Sequence, residues 1–194
     1  MNHTFAKKLD MGHHVSEALV AEAIANGFVV LVTERLPLEN GHGPRFQGDE
    51  NLVVIDLQLS KNGRTITVDA KAKTEASYYR IEEEWQHGVD APILQSYKKS
   101  RKVTGIPMLL VFREVGLFPW EGMDTYSINL DNVGDVRKGI SKGQELSYIN
   151  RSDMTKGWLD LANHLCGVPA PCVGPSCENP FCWCTPTHPT KEHQ

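Results

Sequence analysis

The stretch "DLQLSKNGRTITVDAKAK" constrains this chain most, because it places an Asn-Gly pair between two runs in which apolar and polar residues alternate. An Asn-Gly pair in that setting predicts the two-residue turn of a β-hairpin. If Asn62 and Gly63 form the turn, counting outward sets Asp56 directly opposite Asp69. Like charges that face each other across a sheet, with Cβ atoms roughly 5 Å apart, destabilise it. The sequence therefore predicts a hairpin that needs something positive between two carboxylates.

The two faces of the predicted hairpin differ in polarity. The same count aligns an apolar row on one face: Leu59 with Ile66, Leu57 with Val68 and Ile55 with Ala70. Since side chains alternate along a strand, Lys71 shares the polar face with both aspartates, as do Gln58 and Thr67. An isolated Asp-x-Lys on a strand is most often a solvated surface. Asp56, however, interrupts the apolar run "LVVIDLQL", where an unpaired carboxylate is costly.

A divalent cation between the two carboxylates would remove the repulsion. Mg²⁺ takes oxygen ligands, binds through one or two carboxylates and lets substrate phosphate complete its shell. Lys71, one alternation along the strand from Asp69, is placed to act on a water molecule or to stabilise charge that develops on phosphorus. The pattern therefore predicts a metal site at Asp56 and Asp69 with Lys71 beside it.

The rest of the first 165 residues indicates helices and strands in a mixed order. Helices are predicted at residues 13–26, which Gly27 ends, at 91–104, with Pro92 in the first turn and Gly105 after the end, and at 152–165. Strands are predicted at 28–34, 107–112 and 125–129, with an irregular loop at 37–51. Residues 77–86 are predicted to be either a helix or a covering segment, which "HGVD" breaks. This order is typical of α/β proteins of the α+β type, with a central mixed sheet flanked by helices.

Composition limits the partners and the compartment. The 194 residues suffice for one domain with a small appendage, and the net charge of −4 gives no general attraction to nucleic acid or anionic membranes. We expect a local basic patch or metal ions to mediate any binding of nucleic acid. No apolar run approaches the roughly 20 residues that span a bilayer, and "MNHTFAKKLDMGHH" lacks the apolar core of a signal peptide. The expectation is an intracellular, cytoplasmic protein without a membrane partner.

The motif of the hairpin resembles that of a known group of enzymes. An Asp, an acid thirteen residues later and x-Lys, connected by "KNG", are similar to the PD-(D/E)xK nuclease superfamily. The likeness is greatest to its archaeal Holliday-junction-resolvase type and to phage or viral nucleases, and it covers about residues 13–112. It implies a restriction-endonuclease-like core, a catalytic hairpin and a metal-dependent nuclease that acts on DNA or RNA. It also implies a possible homodimer, because junctions are two-fold symmetric.

The resemblance assigns roles to individual positions. It implies that Asp56, Asp69 and the Ala70 carbonyl bind Mg²⁺ or Mn²⁺ and that Lys71 acts on the attacking water. It further implies a helical glutamate and a glutamine beside the site, for which the candidates are Glu17, the less favoured Glu22, and Gln95. Two positions depart from the pattern, since Ile55 replaces the usual Pro and the second acid is Asp rather than the commoner, longer Glu. Asp49 is a rival for the first acid, but hairpin counting places it far from Asp69.

Residues near the predicted site give two further candidates. The basic cluster of Lys98, Lys99, Arg101 and Lys102 is a candidate contact to the nucleic-acid backbone, and alternatively a solvated helix face. His87 either reaches the site or is a surface histidine. The alternative to an enzyme is a non-catalytic module that binds nucleic acid or protein and keeps the same fold.

All five cysteines lie within residues 166–194, which divides the chain into a nuclease-like domain at 1–165 and a cysteine-rich tail. The spacing C-x4-C-x4-C-x-C is formed by Cys172, Cys177, Cys182 and Cys184, with His188 four residues later. Four thiolates in so short a segment favour tetrahedral zinc. Reduced thiols, disulfides and an iron–sulfur cluster are the alternatives. Cys166 is expected to be buried or to be a substitute ligand.

Overall fold

The computed structural model describes residues 3–33, 52–74, 76–115, 124–141 and 143–167. Its elements in chain order are α1 (His3–Ala25), β1 (Val29–Val32), β2 (Leu57–Lys61), β3 (Arg64–Lys73), β4 (Ser77–Tyr79), β5 (Glu84–Asp90), α2 (Ala91–Thr104), β6 (Met108–Glu114), β7 (Thr125–Asn129), β8 (Arg137–Ser141), β9 (Gln144–Asn150), β10 (Thr155–Lys156) and α3 (Leu159–Leu165). Single 3₁₀ turns lie at Leu130–Asn132 and Arg151–Asp153. Among the described helices, none has the length and apolar character needed to cross a membrane.

The described strands form two sheets. The larger is six-stranded in the order β1-β2-β3-β6-β7-β10, and the smaller is four-stranded in the order β4-β5-β9-β8. In the larger sheet β3 and β6 run parallel, whereas the other described pairs are antiparallel, so the sheet is mixed. The crossover between β3 and β6 contains β4, β5 and α2. The predicted α/β class, a central mixed sheet flanked by helices, is confirmed.

The hairpin forms around the predicted turn. Asn62 and Gly63 both have positive φ, 53° and 72°, as a type I′ turn requires. The predicted register is confirmed from the turn outward to the pair Leu57–Val68. The ladder ends there, so the predicted strand pairings of Asp56 with Asp69 and of Ile55 with Ala70 are wrong.

Thr33 at the end of β1 explains why the β2 ladder stops. The Thr33 N–H donates to the Asp56 carbonyl at 2.8 Å, and the single proton of its hydroxyl lies within hydrogen-bond reach of the carbonyls of Ile55 and Asp56. These bonds hold the chain in a bend before β2. Ile55 consequently packs on the opposite side of the sheet from Leu57, among residues that contact α2.

Two apolar cores cover the two faces of the larger sheet. In the first core, α1 and α3 pack on β2, β3 and β6, and the buried residues include Val15, Leu19, Ala23, Leu57, Ile66, Val68, Ala162 and Cys166. In the second core, α2 and the smaller sheet pack on β6 and β7, and the buried residues include Val89, Leu94, Tyr97, Leu110, Phe112 and Ile149. Cys166 is buried, which confirms one of the two alternatives predicted for it. Burial raises the pKa of its thiol. The buried apolar side chains of β3, Ile66 and Val68, face the first core.

The smaller sheet corrects the prediction for residues 77–90. Residues 77–86 do not form a helix, because Tyr78 and Trp85 pair across β4 and β5 with ring centroids 5.1 Å apart. Aromatic pairs of this kind stabilise strands and here outweigh the helix preference of three consecutive glutamates. "HGVD" continues β5 instead of breaking an element, and β8 and β9 were not predicted at all.

The C-terminal helix is shorter than predicted. It begins at Leu159 rather than at residue 152, because Thr155 and Lys156 pair with β7 and Gly157 then adopts a φ of 83°. Trp158 just before it donates from Nε1 to Glu22 Oε2 at 2.7 Å, while Glu22 Oε1 contacts Arg113 Nη2 at 2.5 Å. Glu22 thus links α1, β6 and the start of α3.

His87 is buried, so its interpretation as a surface histidine is wrong, and its reach to the site stays a prediction. Its ring stacks on Phe112 at 4.8 Å, and Nε2 lies 3.2 Å from Glu114 Oε1. Burial, together with the nearby cations Lys73 and Arg151, lowers the pKa of His87 to about 4. His87 is therefore neutral at pH 7.

We expect His87 to make stability depend on pH between about 6.5 and 4. In that range the unfolded chain binds a proton that the folded protein does not, so the free energy of unfolding falls as the pH falls. At pH 4.5 the loss relative to pH 7 amounts to about 2 to 3 kcal/mol from this residue. Urea unfolding of His87→Phe should show a pH dependence smaller by that amount. His164→Gln, which changes an exposed histidine of α3, should retain the full dependence.

Candidate active site

Asp69 is a fully buried carboxylate in the middle of the larger sheet. Its strand, β3, lies between β2 and β6. Ile66 and Val68 point into the first core, and alternation directs Asp69 and Lys71 to the face that α2 covers. A charge at this position needs partners on the α2 side.

Two side chains supply those partners. Asp69 Oδ1 accepts hydrogen bonds from Lys71 Nζ at 3.0 Å and from Tyr97 Oη at 2.5 Å. Lys71 Nζ also lies 3.0 Å from Asp69 Oδ2 and 3.3 Å from Tyr97 Oη. Oδ2 nevertheless accepts no hydrogen bond of acceptable geometry, although it is buried. The carboxylate is therefore hydrogen-bonded through Oδ1, while Oδ2 faces the Lys71 ammonium without a hydrogen bond.

Asp56 lies beside this cluster at the bend before β2. Its Oδ2 accepts a hydrogen bond from the Ala70 N–H at 3.1 Å. Because the N–H and C=O of one strand residue point to the same edge, the Ala70 carbonyl also points toward the edge where Asp56 lies. Departure of β2 from the ladder thus leaves room for the Asp56 carboxylate next to β3.

The charges of the cluster determine its protonation. Burial on its own lowers the pKa of Lys71, but Asp69, Asp56 and, more weakly, Asp90 outweigh it and raise that pKa above its ordinary value. Burial and the charge of Asp69 raise the pKa of Tyr97 well above the range in which a phenol ionises. Lys71 is consequently an ammonium and Tyr97 a neutral donor. Burial alone would leave the lysine easier to deprotonate, so the carboxylates decide its state.

The two carboxylates fit a hard divalent cation. Mg²⁺ binds proteins through one or two carboxylates and retains several waters. Asp69 Oδ2 is a buried oxygen that accepts no hydrogen bond, and the Ala70 carbonyl faces the same edge as Asp56. Within the described residues no group of three or more His, Cys, Asp or Glu side chains is arranged to hold a metal ion. A cation here would therefore depend on two carboxylates, a carbonyl and water.

The structure places Glu17 and Gln95 on exposed helix positions. Glu17 lies on α1, whose buried side chains pack on the face opposite Asp69. It does not join Asp56 and Asp69 in a three-residue metal group among the described residues. Gln95 is exposed on α2, where Leu94 and Tyr97 point inward. The roles that the resemblance implies for both residues remain predictions.

Tyr97 and Asp90 were missed by the sequence analysis. Asp90 precedes the first residue of α2, and its charge acts on both Lys71 and Tyr97. The signal for Tyr97 was the inward stripe of α2 at three-residue spacing: Ala91, Leu94, Tyr97 and Ser100. A phenol on that stripe has to face the sheet, and Asp69 is a buried acceptor there.

The side chains of the basic cluster of α2 differ in their exposure to solvent. Arg101 forms a fork with Asp131, with Nη2 2.8 Å from Oδ2 and Nε 3.1 Å from Oδ1. Lys98 Nζ donates to the Val133 carbonyl at 3.2 Å. Lys99 and Lys102 are exposed. The two exposed lysines are the better candidates for contact with an extended anion.

Asp49 and the tail cysteines lie outside the described residues: Cys172, Cys177, Cys182 and Cys184. The predicted zinc site therefore stays a prediction. So does the division of the chain at residue 165.

Comparisons with known proteins give similar folds. No family model matches the chain, and no curated protein matches it. The structure is similar to that of a Holliday junction resolvase of the archaeal hyperthermophile Archaeoglobus fulgidus, with a TM-score of 0.46 and 10% identity over 73% of this chain and 90% of that one. It is also similar to a nuclease from a fusellovirus, with a TM-score of 0.46 and 12% identity over 87% of this chain and 95% of the other. Likenesses of this size carry no information on activity, which has to follow from this chain's own side chains.

The contact between Lys71 and Asp69 can be measured as a coupling energy. Lys71→Met leaves a buried carboxylate without its cation, and we expect it to lower the free energy of unfolding by about 2 to 4 kcal/mol in the absence of divalent ions. Lys71→Met combined with Asp69→Asn should recover part of this loss, because the uncompensated charge is gone. Urea unfolding at pH 7 measures the stability of the two single variants, Lys71→Met and Asp69→Asn, and of the double variant.

The matched control for this cycle is Lys138→Met. Lys138 is 66% exposed and its amine lies 3.7 Å from Glu145, so its removal should change stability by no more than about 0.5 kcal/mol. A double variant that loses the full sum of the two single losses would contradict the coupling.

Proposed function

We propose that this protein is a metal-dependent nuclease that hydrolyses phosphodiester bonds, with DNA as its substrate and Asp56, Asp69 and Lys71 at its centre. One observation carries the proposal: a fully buried carboxylate has an oxygen that accepts no hydrogen bond, at the point where the neighbouring strand bends away and brings a second carboxylate alongside. Burial of a charge with an unbonded oxygen has no structural benefit. Binding of a cation by Asp56 and Asp69 would account for this arrangement of two carboxylates.

The residues of the site divide the work. A bound Mg²⁺ or Mn²⁺ supplies Lewis acidity and an activated water. Asp56, Asp69 and the Ala70 carbonyl would hold that ion. Lys71, with its side chain 25% exposed and its pKa raised, is a proton donor and a positive charge rather than a base. Its ammonium is therefore suited to orient the attacking water and to neutralise charge that develops on the phosphate oxygens.

Further parts of the proposal concern partners. The exposed lysines of α2 supply contacts to the nucleic-acid backbone, since α2 also carries Tyr97 to the site. A homodimer would suit a two-fold symmetric junction, and the four tail cysteines would bind zinc. RNA is the alternative substrate.

Cleavage is the direct test. The purified full chain should cut DNA with Mg²⁺ or Mn²⁺ and lose activity with a chelator. Lys71→Ala should lower the rate by about 100-fold or more, because the charge facing the phosphate is lost. Circular dichroism at the assay temperature shows whether the variant is folded. Lys156→Ala, which removes a lysine that is 70% exposed on β10, should cut like the wild type.

A wild-type protein that cleaves no nucleic acid would contradict the proposal. The substrates to be tried are linear, branched and single-stranded DNA and the corresponding RNAs.

Salt dependence tests the backbone contacts of α2. Each lysine that neutralises a phosphate contributes about one unit to the slope of log affinity against log salt. The double variant Lys99→Ala, Lys102→Ala should therefore lower the slope by about two and weaken binding for all sequences alike. Lys138→Ala on β8 is the control and should leave the slope unchanged. Equal effects of the two variants would show that binding follows overall charge rather than α2.

A binding module without catalysis is the second candidate. The observation in its favour is that Lys71 and Tyr97 already occupy Asp69 Oδ1, so the cluster is neutralised without a metal. Such a module has no need to hold a cation between Asp56 and Asp69. Calorimetric titration of the full chain with Mn²⁺ separates the two candidates.

A further inference from the structure

We propose that Tyr97 is a positioning residue of the candidate active site: its hydroxyl fixes the Asp69 carboxylate in the orientation that leaves Oδ2 for the divalent cation. The inference rests on the proposed function, because it takes Asp69 as a ligand of that cation. Tyr97 lies on α2, outside the hairpin that carries the acidic motif.

The donors around Asp69 are distributed unevenly. Both hydrogen bonds reach Oδ1, from Tyr97 at 2.5 Å and from Lys71 at 3.0 Å. Oδ2 is buried and accepts none. Donors on a single oxygen set the rotation of the carboxylate, and the other oxygen then points in a fixed direction.

The two donors differ in what they can do once a cation is present. The Lys71 ammonium has the same sign as a divalent ion and sits 3.0 Å from Oδ2, so it cannot stay as the neutralising partner of Asp69 in the loaded site. A phenol carries no charge at physiological pH and meets no such repulsion. Tyr97 is therefore the donor that holds Asp69 both with and without the cation, while Lys71 is released toward water and phosphate.

The ring of Tyr97 is anchored independently of its hydroxyl. It is 4% exposed and packs in the second core with Leu94 and Leu110. Removal of the hydroxyl alone leaves this packing in place. Tyr97→Phe thus separates the bond to Asp69 from the structural contribution of the ring.

The test measures the affinity of the full chain for Mn²⁺ by calorimetry, without nucleic acid. Loss of a group that hydrogen-bonds a ligating carboxylate typically weakens metal binding by about 10- to 100-fold, and we expect a loss in this range for Tyr97→Phe. The Mn²⁺ concentration that gives half-maximal cleavage should rise by the same factor. At saturating Mn²⁺ the cleavage rate should return to within about threefold of the wild type, because Tyr97 is buried and its hydroxyl acts through Asp69.

Two control variants exclude a merely structural effect. Tyr148→Phe removes a hydroxyl from the smaller sheet and should bind Mn²⁺ like the wild type. Leu94→Ala leaves a cavity on the same face of α2 and destabilises the protein without touching the hydroxyl of Tyr97. Titration at 10 °C, with unfolding followed by circular dichroism, keeps destabilised variants folded. Leu94→Ala should keep its affinity.

Each outcome bears on one of the two proposals. If Tyr97→Phe binds Mn²⁺ within twofold of a wild type that cleaves, the role of Tyr97 is overturned and the nuclease stands. If Leu94→Ala loses affinity as much as Tyr97→Phe does, the effect is structural and the role is likewise overturned. If the wild type neither binds Mn²⁺ nor cleaves, both proposals fail.

Discussion

The charge of Asp69 is the constraint on which the rest of the structure depends. A carboxylate without solvent contact needs donors, and the ammonium of Lys71 and the phenol of Tyr97 provide them. Lys71 lies on the same strand as Asp69. Tyr97 reaches Asp69 only if α2 packs on that strand with its inward-facing residues toward β3. A strong hydrogen bond between a strand and a helix therefore specifies how the crossover returns to the sheet. The second core then forms around a polar centre.

The ladder of the larger sheet is shaped by the same requirement. Had β2 continued past Leu57, its main chain would have paired with Ala70, and the Asp56 side chain would have faced Asp69 at the distance of a cross-strand pair. Because of the bend, the Ala70 N–H donates a hydrogen bond to the Asp56 carboxylate instead. The bend thus keeps two acidic groups near each other without setting them directly opposite. It avoids the repulsion that counting along the hairpin predicts.

Short-range signals account for the part of the fold and site that was predictable. The Asn-Gly turn fixes the register of β2 on β3, and Pro92 with Gly105 delimits α2 as predicted. Asp69 and Lys71 follow from that register alone. These features depend on neighbours within about twenty residues and on backbone conformations that few residue types adopt.

Contacts between distant segments account for what was missed. The smaller sheet forms because β5 pairs with β9, which lies some sixty residues later in the chain. No local pattern in "SYYRIEEEWQ" predicts that partner. Tyr97 lay within a run of basic residues whose inward stripe becomes meaningful only once β3 is known to lie beneath it. The position of His87 was left open between the site and the surface for the same reason, since its burial comes from Phe112 on another sheet.

Thr33 positions the first acid of the site from a neighbouring strand. Its bonds to the carbonyls of Ile55 and Asp56 join the end of β1 to the bend that carries this acid. One of these bonds comes from the main-chain N–H of Thr33, a donor that every residue except proline has. The place of Asp56 beside β3 is thus set by the backbone of β1 as well as by the hairpin.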